Sequence, residues 1–150
     1  MGLFGYVKGG EIINLTLKDV NIAGGGDAGG IVGMMVDGGA ITGCFVYGKV
    51  ASSSSTVFSA SGGVAGYMEN SVITGCRTEG EITANDDAGG IAGSVYSSKI
   101  INSASSAAVL SSDSAEISSL SGGIAGYVYD SEISGCLSTG NVVSDSDVSY

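Results

Sequence analysis

One phrase recurs five times along this chain, and it limits the fold more than any other feature. Gly62-Gly63-Val64-Ala65-Gly66-Tyr67 is matched by Gly29-Gly30-Ile31-Val32-Gly33-Met34, Gly89-Gly90-Ile91-Ala92-Gly93-Ser94 and Gly122-Gly123-Ile124-Ala125-Gly126-Tyr127. Gly2-Leu3-Phe4-Gly5-Tyr6 is a fifth copy in which Met1 replaces the first glycine. Aligned on Gly2, Gly30, Gly63, Gly90 and Gly123, the steps are 28, 33, 27 and 33 residues. A step in this range marks a chain of stacked supersecondary units. The pattern runs through residues 1–150, a length that one domain accommodates.

The third unit shows what each step contains. Val64, Gly66 and Met68 alternate with Ala65, Tyr67 and Glu69, the period of a strand with one apolar face. The Val64 column reads Leu3, Ile31, Val64, Ile91, Ile124, and the Met68 column Val7, Met35, Met68, Val95, Val128. Between them stands glycine every time (Gly5, Gly33, Gly66, Gly93, Gly126), which implies close approach of another backbone. After a polar turn comes Ile73-Thr74-Gly75-Cys76. Its first column is Ile12, Ile41, Ile73, Ile100, Ile133, and its third Asn14, Gly43, Gly75, Asn102, Gly135. Asn and Gly are the residues that most readily take positive φ. This predicts a corner that resets side-chain parity, so that Ile73 and Cys76 both point inward. The inward set then continues as Thr78, Gly80 and Ile82. Ile22, Val50, Ile82, Val109 and Val142 align only if the first unit carries one extra residue near Asp19, as in a β-bulge.

These columns predict an all-β fold, a right-handed parallel β-helix (β-solenoid). It should have five coils of about 27–33 residues with three short strands each. Rungs about 4.8 Å apart would make a stack of roughly 24 Å. The absence of proline fits, because nearly every strand N–H must pair. Connections after the third strand alternate between short (23–28, 83–88) and long (51–61, 110–121), so a pair of coils is the larger unit. The 27 glycines and many serines would otherwise suggest a flexible chain, but aliphatic residues are plentiful and the glycines sit at fixed places.

The phrase Gly2-Leu3-Phe4-Gly5 and the longer pattern GGIAGY…S.I..C...G.V, present in all five copies, resemble the GLUG-motif repeats of bacterial extracellular β-solenoids. The resemblance covers essentially the whole chain and departs from the pattern at Leu15 and Ser103, where cysteine is missing. It implies an accessory, non-catalytic module of a secreted or surface-attached bacterial protein, located outside the cell or on its surface. It carries over no catalytic residue.

Charge and chemistry narrow the function further. A net charge of −10 excludes a conventional nucleic-acid or anionic-membrane surface, which needs a basic patch. No apolar run approaches the ~20 residues of a membrane-inserted helix. No signal peptide is visible in this segment. With no histidine, a Ser/His/Asp set is impossible and the three cysteines lack zinc spacing, so neither an enzyme, a cofactor nor a metal site is expected. Cys44, Cys76 and Cys136 read as small thiols in one core column. Asp27 and Asn85-Asp86-Asp87 read as solvated turn residues, lacking the spacing of a Ca²⁺ loop. Thr42 and Thr74 align, but the column continues as Ile13, Ile101 and Ser134, too irregular for an ice-binding face.

Tyr6, Tyr67 and Tyr127 follow the inward glycine on alternate coils and should face outward, as a stripe for ligand or partner contact or as cover for neighbouring residues. Three functions follow. The chain is a structural or adhesive spacer; or it binds glycans or host surface proteins; or it stacks on itself end to end as a filament subunit. The last is suggested by a pattern that breaks off near Tyr150, where the next coil is due, and resumes at Met1.

Overall fold

The computed structural model describes residues 1–54, 58–112 and 119–145. Among them every regular element is a β-strand and every ladder is parallel. The chain winds as a β-solenoid whose turns present four faces. The first face stacks Phe4–Lys8, Val32–Val36, Ala65–Glu69, Ala92–Tyr96 and Ala125–Tyr129. The second stacks Glu11–Ile13, Ala40–Thr42, Val72–Thr74, Lys99–Ile101 and Glu132–Ser134. The third stacks Thr16–Gly24, Phe45–Ser52 and Arg77–Ala84, then two split strands, Ala104–Ser105 with Ala108–Ser112 and Leu137–Ser138 with Val142–Asp145. The fourth holds Ala28–Gly29, Ala60–Gly62, Asp87–Gly89 and Leu120–Gly122.

Two expectations are corrected by this arrangement. Each turn has four strands rather than three, and the described residues make four complete turns and three faces of a fifth rather than five whole coils. The reason lies in the recurring phrase. Its first glycine ends a strand of its own, the fourth-face strand Ala60–Gly62 in the second turn, and Gly63 and Val64 turn the corner before the first face starts at Ala65. The fourth-face strands pack between the first and third faces and are fully buried in the middle turns. That fit needs glycine. A Cβ on Gly66 would lie 2.6 Å from the Ala28 nitrogen, and one on Gly93 2.7 Å from the Ser61 nitrogen.

The corner columns behave as the residue types require. Asn14, Gly43, Gly75, Asn102 and Gly135 have φ of 55°, 64°, 62°, 49° and 63°, and Ile73 and Cys76 on either side of Gly75 are both buried. A second left-handed corner joins the first face to the second at Gly9, Asp37, Asn70, Ser97 and Asp130. Serine hydroxyls satisfy backbone groups beside it: Ser71 N–H donates to Ser98 Oγ and Ser98 N–H to Ser131 Oγ, each at 3.0 Å. The register of the third face slips between Leu17 and Val20, and Asp19 (φ 55°) is the bulged residue. Gly80 is not a small inward slot, as its column suggested. It is exposed, and it stands with Gly48 at φ 118° and 146°, a backbone that side chains rarely adopt. Where Ala107 takes that column the strand breaks in two, and the rung above breaks with it.

The core is the predicted spine. Ile12, Ile41, Ile73, Ile100 and Ile133 stand in register on the second face. Ile31, Val64, Ile91, Met35, Met68 and Val95 join Ile41, Ile73 and Ile100 in one cluster with no exposed surface. No helix of the described residues is long and apolar enough to cross a membrane. The middles of the two long connections, 55–57 and 113–118, and the stretch to Tyr150 lie outside the described residues.

Candidate functional site

The outward tyrosines form a cluster with more members than the sequence pattern suggested. Tyr67 and Tyr127 stand two rungs apart on the first face, with Ser94 between them in register. The small serine leaves a gap, and Tyr96, two residues further along the same strand, covers it. Its ring stacks on Tyr67 at 5.3 Å between centroids and lies 5.4 Å from Tyr127 and 6.1 Å from Tyr129. Separations of this size are favourable aromatic pairs. Tyr6 does not join them: Met34 occupies the rung between, and Tyr6 stands exposed on the first rung. The Tyr67 hydroxyl donates to Glu69 Oε2 at 3.2 Å. Partial burial and the Glu69 charge push its pKa up to about 12, so the hydroxyl stays protonated. Tyr96 and Tyr129 escaped the sequence reading because their column runs Lys8, Val36, Glu69, Tyr96, Tyr129, with no residue type repeated until the last two rungs.

The acidic corner is a correction of a different kind. Asp86 and Asp87 are not solvated turn residues; each has 1% of its surface exposed. Asp86 Oδ2 accepts from the Ser59 N–H at 2.7 Å and from Ser59 Oγ at 3.2 Å. Asp87 Oδ2 accepts from Ser94 Oγ at 2.7 Å, and Asn85 Nδ2 donates to the Ser54 carbonyl at 3.0 Å. These side chains tie the short connection of one turn to the long connection and first face of its neighbours. Burial raises the Asp87 carboxyl to about 6; the Ser94 bond opposes the shift, and the charges of Asp86 and Asp27 add to it. Asp27 accepts from the Ala60 N–H at 3.2 Å and is likewise raised by burial. Among the described residues no group of three or more Cys, Asp or Glu is placed to hold a metal ion.

The remaining chemistry is dispersed. Cys44, Cys76 and Cys136 share one column as free thiols, the first two buried. Burial pushes the Cys76 thiol up to about 11, which leaves it protonated and unreactive. Three cations meet acids across rungs: Lys8 with Asp37 at 3.3 Å, Lys49 with Glu81 at 3.2 Å and Lys99 with Glu132 at 3.0 Å. Two depressions mark the third face. One of about 200 Å³ lies among Arg77, Glu79, Ser105, Leu137 and Thr139. A broader one of about 430 Å³ has Gly48 and Gly80 among its lining residues, with Tyr47, Lys49 and Glu81 beside them.

Comparison with known protein families, with curated proteins and with solved structures returned no match.

Proposed function

We propose that this chain is a non-catalytic structural module of an extracellular or cell-surface bacterial protein, a rigid spacer that holds other parts at a set distance. The observation that carries this reading is the in-register ladder. Equivalent residues of successive turns lie directly over one another, and the spine they bury has no gap through the middle turns. The polar groups support the same reading. Asp27, Asp86 and Asp87 bond the backbone and serines of adjacent turns, and Lys49 and Glu81 form an ion pair beside the larger depression. The resemblance to GLUG repeats supports the placement outside the cell. Joining Gly29 directly to Gly90 would delete one two-coil unit. A spacer of interchangeable turns should still fold cooperatively, with its length shortened by about 10 Å in small-angle scattering. Failure of the shortened chain to fold would count against it.

A second reading, adhesion to glycans or host surface proteins, is favoured by one feature, the contiguous rings of Tyr67, Tyr96, Tyr127 and Tyr129. Tyrosine offers an apolar face with a polar tip, suited to a sugar ring or a partner side chain. Titration with glycans and mucin fragments tests it: binding that Tyr96→Ala weakens at least tenfold supports adhesion, and absent or unchanged binding opposes it.

A further inference from the structure

We propose that the tyrosine face docks a basic protein segment, whose lysine or arginine side chains settle on the rings of Tyr67 and Tyr96. This rests on the adhesion reading above and names the chemistry of the partner. Tyr67 and Tyr96 belong to the third and fourth rungs of the first face, each with a paired strand on both sides. The site therefore stands away from both ends of the chain. Both rings are half-buried, so each keeps part of its surface open to a ligand.

Negative charge lies beside and beneath these rings. Glu69 stands at one side, where its Oε2 accepts from the Tyr67 hydroxyl at 3.2 Å. Asp87 lies below: its Oδ2 accepts from Ser94 Oγ at 2.7 Å, and Ser94 is the residue between Tyr67 and Tyr127 in register. The Asp87 carboxylate thus sits at the gap that Tyr96 covers. The phenols register both charges. Burial raises Tyr67 and Tyr96; the Glu69 charge adds at Tyr67, and Tyr127 and the Asp87 charge add at Tyr96. No cation of the chain answers them. The strands Ala65–Glu69, Ala92–Tyr96 and Ala125–Tyr129 carry no lysine or arginine. Among the described residues no ion pair includes Glu69 or Asp87. Lys99, the nearest cation to Tyr96 along the chain, is held by Glu132 at 3.0 Å.

Two effects then favour the same ligand. The Ser94 bond offsets only part of the cost of burying the Asp87 carboxylate, and a cation above the rings offsets more. The negative ring faces attract the same charge. Arginine and lysine also bring donors for Glu69 and apolar stems to lie along the rings. A net charge of −10 adds long-range attraction for a basic partner and repels sialylated or sulfated glycans. The ionised groups beside the rings only accept hydrogen bonds, a one-sided set for a neutral sugar. From Tyr67 to Tyr127 the face covers two rungs, about 10 Å, which admits two alternate side chains of an extended segment, about 7 Å apart.

The test titrates the purified 150-residue chain into a fluorescently labelled peptide of alternating arginine and glycine, and into its glutamine–glycine counterpart, at physiological salt. The arginine peptide should bind about tenfold or more tightly than the glutamine peptide. Tyr96→Ala should weaken its binding about tenfold, whereas Tyr96→Phe, which keeps the ring face, should change it by less than about threefold. Tyr67→Ala takes the place of Tyr96→Ala should that variant fail to fold by circular dichroism. Glu69→Gln should weaken binding by about threefold or more, and Glu79→Gln, the same loss of charge on the third face, should leave it unchanged. Equal losses from Glu69→Gln and Glu79→Gln, or binding indifferent to the alanine variants, would mean attraction to overall charge alone and overturn the proposal. Glycans or mucin fragments that bind through Tyr96 while the arginine peptide does not would overturn it too, and leave the adhesion reading standing. Absence of binding by peptide and glycans alike would remove both.

Discussion

The middle rungs and the last rung carry the same kinds of residue in their core columns, yet they differ sharply in exposure. Ile73 has none of its surface exposed and Ile133 has 37%; Val95 has none and Val128 has 42%. Sequence assigns each pair one role, and only the presence of a neighbour on both sides makes that role stabilising. Burial in a solenoid is thus conferred by the stack, so stability should be unevenly distributed along the axis. The largest expected effect follows from this. Ile73→Ala should destabilise the chain by about 2–5 kcal/mol, and Ile133→Ala by less than half as much, read as urea midpoints under conditions where both variants are monomeric. Equal losses at the two positions would break the comparison.

The glycine column sharpens it. Gly93 and Gly5 occupy equivalent places in the phrase, but a Cβ at Gly93 meets the Gly66 oxygen and the Ser61 nitrogen at 2.7 Å, whereas one at Gly5 meets nothing within 4 Å. Gly93→Ala should therefore cost about 1–3 kcal/mol through backbone displacement. Gly5→Ala should be neutral or stabilising by up to about 1 kcal/mol through the unfolded chain. Thermal midpoints of the two variants decide this, and a costly Gly5→Ala would mean that the glycine serves backbone conformation rather than close packing.

What the sequence revealed and what it hid divide along the same physical line. Columns that repeat one residue type were legible: the isoleucine spine, the Gly/Asn corner with its positive φ, and the bulge at Asp19 all lie where the alignment puts them. The fourth face was not legible. A strand as short as Ala28–Gly29 has no room for alternation, and its burial comes from being packed between two sheets rather than from its own pattern. Asp86 and Asp87 were misread for the same reason, since a polar connection looks solvated until the fold closes over it. Of the tyrosine face, the residues after the inward glycine were visible, and Tyr96 and Tyr129 were not.

Acids in the middle and at the end shift in opposite directions, which gives the next test. Asp87, buried in a middle turn, has its carboxyl raised to about 6 from the ordinary 3.8. Between those values the folded chain holds the proton and the unfolded chain has released it. Asp87 therefore contributes stability that is complete below pH 3.8 and is lost as pH rises through about 6, a change on the order of 3 kcal/mol. Asp87→Asn, which keeps an acceptor for Ser94, should flatten that slope in urea midpoints measured across the window and raise stability at neutral pH. An unchanged slope would assign the proton to another group.

Glu132, on the last rung, is held below the usual carboxylate range by its hydrogen bond to Lys99 and the charge of that ammonium. A lowered carboxyl favours the folded state above its ordinary pKa of 4.5, and the gain is lost as pH falls through the folded value. The sign is therefore opposite to that of Asp87. Both partners are more than half exposed, so water and salt screen the pair, and the two side chains lose freedom in making it. Glu132→Gln should leave the neutral-pH midpoint of the monomer almost unchanged, with the small residue shrinking as salt is added. A clear loss of stability at neutral pH would instead mean that the Lys99 contact holds the last two rungs together despite its exposure.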